Sequence, residues 1–505
     1  MSKIPLPTTH KRAALSRLTR LAACLLVLDV AGCASMGGLH THAIALDPDG
    51  LAAEQSLSTT AFSPAAWPRE MWWKDFGDPQ LDRLIDAALS GQPALRIAEA
   101  RVRQAQAVAD VTGAALYPQA NVGLHSTRQR FSEDGTVAPP VAGTWKTVND
   151  VSLGVGYELD FWGKNRAALD AALGRANAEQ VDLHAARLML TTALVRTYLR
   201  LDLGYARLDL AHETLAQREQ TLELTRKRVA AQVDSRLELT QAEAALPAIR
   251  ERIAAINESL ALTANQLAAL EGKGPDAGLK IDRPQLTDVG GVSLPGDLPA
   301  ELIGRRPDIV ADRWRVEAAS QDIKVAKAQF YPNISLTGLV GLQSLGFDNF
   351  LDAGSRVLGI GPAISLPIFD GGRLRGNLGA RQAGYDMAVE HYNSTVIAAV
   401  HDVVDQLVSL HWIQQQILEQ RDGLALGERA WELAKARYRS GLANYLQVLA
   451  AESQVLAEKQ KMIESQSRQR EVRLNLTRAL GGGYQPDGAS DPTPVARAQR
   501  QESKS

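Results

Sequence analysis

The chain has 505 residues, enough for two or three ordinary domains, and 45% of them are hydrophobic. A net charge of −2 removes the electrostatic case for a nucleic-acid partner. The two cysteines, Cys24 and Cys33, both fall near the N-terminus, so no disulfide framework is expected.

The chain opens like a processing signal. Lys11, Arg12, Arg17 and Arg20 form a basic region, and Leu21 to Leu28 is an apolar run too short to span a bilayer. Val30-Ala31-Gly32-Cys33 follows, with small residues ahead of a cysteine as in a bacterial lipoprotein box. Residues 1–32 therefore read as a lipoprotein signal peptide, and Cys33 as the site of a covalent lipid. Residues 33–66 are rich in Gly, Ala, Ser, Thr and Pro and read as a lipidated tether. His40 and His42 have no further ligand nearby, so no metal is expected. Trp67, Trp72 and Trp73 form a patch expected to dock the tether on a helix bundle or a neighbouring subunit. No later run of 18 apolar residues is read as a transmembrane helix, so a membrane-spanning part must be a closed barrel of strands.

Residues 67–273 and 298–482 read as two copies of one unit, joined by a linker at 274–297 and followed by a disordered tail at 483–505. In each copy a helix opened by Pro93 or Pro307 ends at Tyr117-Pro118 or Tyr331-Pro332, because a residue before proline is pushed to extended geometry. The period then changes from helical to two, predicting strands at about 119–130 and 149–160, and at about 333–345 and 356–367. Long helices follow at 163–229 and 373–439. Leu194, Leu201, Leu208, Leu215, Leu222 and Val229 recur every seven residues in the first. Val403, Leu410, Ile417, Leu424, Trp431 and Tyr438 do so in the second. Such sustained heptads are the seam of packed long helices. Return helices are predicted at 235–270 and 444–480, the first with a kink or a lost hydrogen bond at Pro247. The expected fold is mainly α with a small β part. Four strands per chain are too few to close a barrel, so strands from other copies are required.

With these features on the page, the chain resembles the TolC-type outer-membrane factor family. The matching segments include Phe76-Gly77-Asp78-Pro79-Gln80-Leu81, Arg305-Arg306-Pro307-Asp308-Ile309, Pro367-Ile368-Phe369-Asp370-Gly371-Gly372-Arg373 and the stretch from Arg437-Tyr438-Arg439-Ser440-Gly441 to Leu446. With Cys33 it is most similar to the NodT-like efflux lipoproteins, a branch that includes fusaric-acid-resistance channels. The resemblance implies a homotrimer in the outer membrane, with a 12-stranded β-barrel continued by a periplasmic α-barrel. It implies a passive exit duct for small toxic compounds, fed by an inner-membrane efflux pump through a periplasmic adaptor protein. No enzyme activity and no cofactor beyond the lipid on Cys33 are expected, and no P-loop, H-E-x-x-H or G-x-S-x-G is found. A type I protein-secretion duct is the alternative on the same fold, and a coiled-coil adhesin the alternative outside it.

The resemblance also places function at the turns after the long helices. The positions where relatives carry gating aspartates hold Gln447 and Ala450 here, so an apolar aperture at Tyr445 and Leu446 is expected. Adaptor docking is expected at Arg228, Arg236, Arg437, Arg439, Gly441 and Asn444.

Overall fold

The computed structural model describes residues 36–47, 67–287 and 304–485. Cys33, the signal peptide and most of the tether and tail lie outside them. The chain divides into two compact units, and each draws on both sequence copies.

The first unit contains residues 102–178 and 312–392. Its core element is an antiparallel four-stranded sheet in the order β1 (Gln119–Arg130), β2 (Trp145–Leu159), β3 (Asn333–Leu345) and β4 (Arg356–Ser365). β2 starts earlier than its apolar alternation indicates, because Trp145 to Val148 pair with Thr127 to Arg130. Polar side chains there hide a ladder that backbone hydrogen bonds still form. β4 stops at Ser365, short of Pro367, whose ring supplies no ladder donor. The register aligns Val122, Leu153, Val340 and Leu358 in one row across all four strands. Ala120, Val155, Gly338 and Ile360 form the adjacent row on the same face. Val122 and Leu358 are 75% exposed and Ile360 is 87% exposed, so none of the described residues covers this apolar face. The opposite face carries Ser152, Gly154, Glu158, Thr337 and Ser365. Each outer strand keeps one unpaired edge.

Residues 36–44 form an extended strap along the start of a long helix, α6 (Arg373–Arg439), in this same unit. Arg375 donates to the Gly37 carbonyl at 3.0 Å, and Asp386 Oδ1 accepts from the His42 and Ala43 amides at 2.9 and 3.0 Å. Residues 36–44 of the tether are thus held by side-chain bonds to its backbone that its composition does not reveal.

The second unit contains residues 67–101, 179–287, 304–311 and 393–485 among those described. Its first helix, α1 (Pro79–Gly91), begins at Asp78, whose carboxylate accepts from the Gln80 amide and caps the helix. Leu81, Leu84, Ile85 and Ala88 recur at helical spacing and are buried. They pack with Trp72, Trp73 and Phe76 and with Leu194, Tyr198 and Leu201 of α3 (Lys164–Ala230). Trp72 and Trp73 therefore belong to the hydrophobic core of their own chain. α2 (Pro93–Gly113) also starts in this unit, and α5 (Pro307–Ala328) begins there beside the buried Arg306, which is ion-paired to Asp308 and Asp402.

The first part of the linker, residues 274–287, packs within the second unit. A short 3-10 helix, Pro275–Lys280, follows α4 (Arg236–Leu270), and the Thr287 amide donates to the Phe76 carbonyl at 2.9 Å. α4 runs through Pro247 without a break. The return helix of the second copy is α7 (Tyr445–Ala479). α3 and α6 each have 67 residues, and both their ends are displaced by 209 positions, as are those of α4 and α7. A helix of 67 residues is about 100 Å long at 1.5 Å per residue. α6 contains a stretch of 18 residues with mean hydropathy 1.3, long and apolar enough to cross a membrane by composition alone. Val403 and Leu407 of α6 bury against Leu476 and Leu480, and Leu410, Ile413 and Ile417 against Met462 and Val472, so one face of the helix packs on the return helix of its own chain. Just past the end of α7, Gly481 turns the chain at φ +88°, where a Cβ would overlap the Arg305 carbonyl oxygen.

Candidate functional site

The turns between each long helix and its return helix lie together in the second unit. Leu222, Ala242 and Leu246 of the first helix pair share one apolar cluster with Tyr438, Tyr445 and Val448 of the second. Both turns reverse the chain through one left-handed residue, Gln232 at φ +57° and Gly441 at φ +74°. Each then restarts a helix from a capping side chain. Ser235 accepts from the Leu237 amide while the Glu238 carboxylate accepts from the Ser235 amide. Asn444 accepts from the Gln447 amide at 3.2 Å.

Above the cluster sits a closed polar network. Arg228 donates to both oxygens of Asp234, at 2.9 and 3.0 Å, in the bidentate geometry of a strong charge-assisted pair. Its third bond, at 2.7 Å, goes to the Tyr438 carbonyl on α6, and its guanidinium lies 4.2 Å over the Tyr438 ring. The Tyr438 hydroxyl donates to Asp234 at 2.6 Å and lies 3.2 Å from the Thr225 hydroxyl. Only 12% of the Arg228 side chain and 8% of that of Asp234 remain exposed. The hydrogen bond from Arg228 holds the Asp234 carboxyl below the usual range. Burial, reinforced by Asp234, pushes the Tyr438 phenol up to about 12. One turn further in, burial raises the Glu452 carboxyl, with Arg218 at 3.9 Å opposing the shift.

The sequence-predicted residues separate into two sets on this geometry. Tyr445 is 3% exposed and packs with Tyr438 in the apolar cluster, so it presents no face to an aperture. Leu446 is 51% exposed, and Gln447 and Ala450 are exposed beside it. Arg228 is occupied inside the network and is not a solvated docking residue, because Asp234 and the Tyr438 carbonyl take its donors. Arg236, Arg437, Arg439, Gly441 and Asn444 are all exposed. The role of Asp234 and Tyr438 was not anticipated. The available signal was the difference between copies, since Asp234 is matched by Ala443 at the offset of 209.

The helix tips and the uncovered apolar sheet have their parallel in known proteins. The pattern that defines the Outer membrane efflux protein family matches residues 84–273 and 298–482. The chain belongs to that family. It is 44% identical to the fusaric acid resistance protein FusA of Burkholderia cepacia over 367 residues, 72% of this chain and 69% of that protein. It is 31% identical to the multidrug resistance outer membrane protein MdtP of Escherichia coli (strain K12), over 93% of this chain and 98% of the relative. Among solved structures, the outer membrane protein VceC from Vibrio cholerae superposes with a TM-score of 0.78 at 38% identity, covering 83% of this chain and all of VceC. The outer-membrane channel OprN superposes with a TM-score of 0.79 at 26% identity, covering 89% of this chain and 98% of OprN. This efflux protein is thus an outer-membrane channel of the TolC type, mainly helical with a small sheet.

Proposed function

We propose that three copies of this efflux protein assemble into one duct, anchored by a lipid on Cys33. An inner-membrane pump feeds small toxic compounds into it through a periplasmic adaptor. The observation that carries the reading is the sheet. Its four strands have one uncovered apolar face and two unpaired edges, and a bilayer tolerates the first but not the second. Closing the edges with strands of other copies satisfies every backbone group, and twelve strands enclose an open bore. The exposed aromatics Tyr117, Phe161, Trp162, Tyr331 and Phe369 sit just beyond the periplasmic strand ends, as an interfacial girdle should.

The strap supports the lipid anchor. Gly37 is bound at Arg375, near the start of α6 and close to the sheet. A lipid on the cysteine four positions upstream of Gly37 in sequence would enter the same membrane that the sheet crosses.

At the tips, Leu446 with Gln447 and Ala450 forms the aperture, where apolar narrowing resists wetting. The exposed Arg236, Arg437, Arg439, Gly441 and Asn444 meet the adaptor. The names of the relatives, fusaric acid resistance and multidrug resistance, favour small-molecule cargo.

Electron microscopy of detergent-extracted protein tests the assembly. A three-fold hollow cylinder is expected, and a compact monomer or a solid rod would remove the duct. In cells lacking the native gene, Cys33→Ser is expected to lose the acyl chain by mass spectrometry. Recovery of an acylated variant would refute the anchor. Charge reversal at Arg437 and Arg439 is expected to lower efflux with trimer yield unchanged, and undiminished efflux would remove them from the docking surface.

A further inference from the structure

The uncovered face of the sheet changes chemistry along its length. Five successive rows are apolar or aromatic, from Leu159, Ile334 and Ile364 at the helix end to Leu124, Val151 and Leu342. Ile334 and Leu342 are eight positions apart on β3, which is about 27 Å of strand. A tilt of about 40° turns that into about 20 Å of height, the scale of the lipid-facing band of an outer-membrane barrel. The next row towards the hairpin tips is polar and closed on itself. The Ser126 hydroxyl lies 2.7 Å from Asn149 Oδ1, and the Asn149 amide and the Ser344 hydroxyl both donate to the Gly346 carbonyl, at 2.8 and 2.7 Å. Polar groups at the margin of a hydrocarbon layer are stable when satisfied in this way.

Every charged residue on this face of the strands is an arginine, and all three lie at the tip end of the band. Arg128 and Arg130 follow Ser126 at two-residue spacing, so they project from the same face, opposite Thr147 and Trp145. Arg356 ends the last apolar row on β4, and its long side chain can reach past that row. The acidic residues of the strands, Asp150 and Glu158, fall on the opposite face. Arg130 pairs at 2.8 Å with Glu133 in the following loop and keeps 49% of its side chain exposed. Arg128 and Arg356 are exposed and have no acidic partner among the described residues.

We propose that Arg128, Arg130 and Arg356 bind the phosphates of a phosphorylated glycolipid of the outer leaflet, lipid A, at the level of its headgroup. The inference rests on the duct reading, which turns this face towards lipid and the hairpin tips towards the cell exterior. Guanidinium groups take phosphate oxygens in two-point geometry. Trp145, 61% exposed beside Arg130, supplies the amphipathic ring that suits an interface. Closing the barrel sets β4 of one copy next to β1 of another, so Arg356 stands on the strand beside the Arg128–Arg130 pair of the adjoining copy. The surface is then completed by assembly.

Native mass spectrometry of the detergent-extracted protein tests the surface, with bis-phosphorylated lipid A as the probe and the same lipid after phosphatase treatment as its control. The phosphorylated lipid is expected to bind about tenfold more tightly, the scale of one charge-assisted hydrogen bond. Replacing all three arginines by glutamine should reduce it to the level of the control. Glu133→Gln releases Arg130 and should tighten binding about threefold, a gain that lost folding cannot imitate. Lys146→Gln, on the opposite face, should change neither lipid. Equal binding of the two lipids, or full preference in the triple variant, overturns the proposal. Phosphatidylglycerol held as tightly as lipid A would show a surface for any anionic lipid and overturn the outer-leaflet assignment. The protein mass reads the trimer separately from the lipid, so a trimer without the preference loses this proposal and leaves the duct standing. Loss of binding by Lys146→Gln, with the triple variant unchanged, would turn the polar face towards lipid and overturn both.

Discussion

The two helix tips start from equivalent sequences and end in different physics. Arg228 and Arg437 occupy the same position in the two copies, one turn before the reversal. Arg228 meets Asp234 across its turn and is locked down, whereas Arg437 faces Ala443 at that place and stays in solvent. Tyr438 completes the first network, while its counterpart Val229 has no hydroxyl to offer. The duplication therefore preserved a scaffold and divided the labour. One tip ties the two helix pairs together, and the other leaves its cations exposed.

The largest test of that contrast is Asp234→Ala. It leaves the Arg228 guanidinium mostly buried without its carboxylate and removes the acceptor of the Tyr438 hydroxyl. Stranding a largely buried charge costs about 3 kcal/mol. Hydrogen exchange at the tips should accelerate about a hundredfold, with the sheet and the strap unaffected. Equal acceleration throughout the chain would show that the network stabilises the whole molecule and not the tip. Acidity and alkalinity should attack the same network from opposite sides. The Asp234 carboxyl is lowered in the folded state, so its contribution is complete above the ordinary carboxylate range near pH ~4. It disappears as pH falls through the folded value. The Tyr438 phenol is raised to about 12, so its contribution is complete below its ordinary value near ~10 and disappears as pH climbs through 12. Tip exchange measured against pH should therefore rise at both extremes, and Tyr438→Phe should remove the alkaline limb only, at a cost of about 1 kcal/mol.

How much of this could be read from sequence depends on which interactions are periodic. The heptads of α3 and α6 announce their own length, because one apolar residue per seven is repeated along the seam. Alternation located β3, since Leu336 and Val340 mark one face, and left β1 as a weaker strand at about the right place. The first part of β2 carries no such mark, because Lys146 and Thr147 are polar and Asn149 is held by its side-chain bonds to Ser126 and the Gly346 carbonyl. The strap was illegible for the same reason. Its bonds join the Gly37 carbonyl and the His42 and Ala43 amides to Arg375 and Asp386, more than 300 positions away. At the tips the turns fall where the sequence put them, and Arg236, Arg437 and Arg439 are exposed there. Sequence assigned Arg228 to the surface because a single chain of letters does not show Asp234 and Tyr438 converging on it. Tyr445 was drawn to the aperture by its neighbour Leu446, although successive residues on a helix point about 100° apart and only one of them faces out.

Swapping single residues between the tips sharpens the comparison at smaller energies. Ala443→Asp restores the missing carboxylate opposite Arg437. If the turn geometry alone directs the pairing, the variant should gain up to about 1 kcal/mol, the range of an exposed pair, and lose affinity for the adaptor in proportion. Gained stability with adaptor binding intact would show that Arg437 is not a docking cation. The smallest effect concerns the reversal itself. Gln232 holds φ +57°, a conformation that costs a residue with a Cβ about 1 kcal/mol, whereas Gly441 adopts φ +74° without that penalty. Gln232→Gly should relieve the strain but free the unfolded chain, for a net change near zero to about +0.5 kcal/mol. Gly441→Ala should cost about 1 kcal/mol, with nothing within 4 Å to clash with the added methyl group. If both substitutions shift tip exchange equally, the turns are interchangeable and the networks alone distinguish them. If Gln232→Gly loosens the first tip, the glutamine side chain itself contributes there, and the division between a locked tip and an open one extends into the turn.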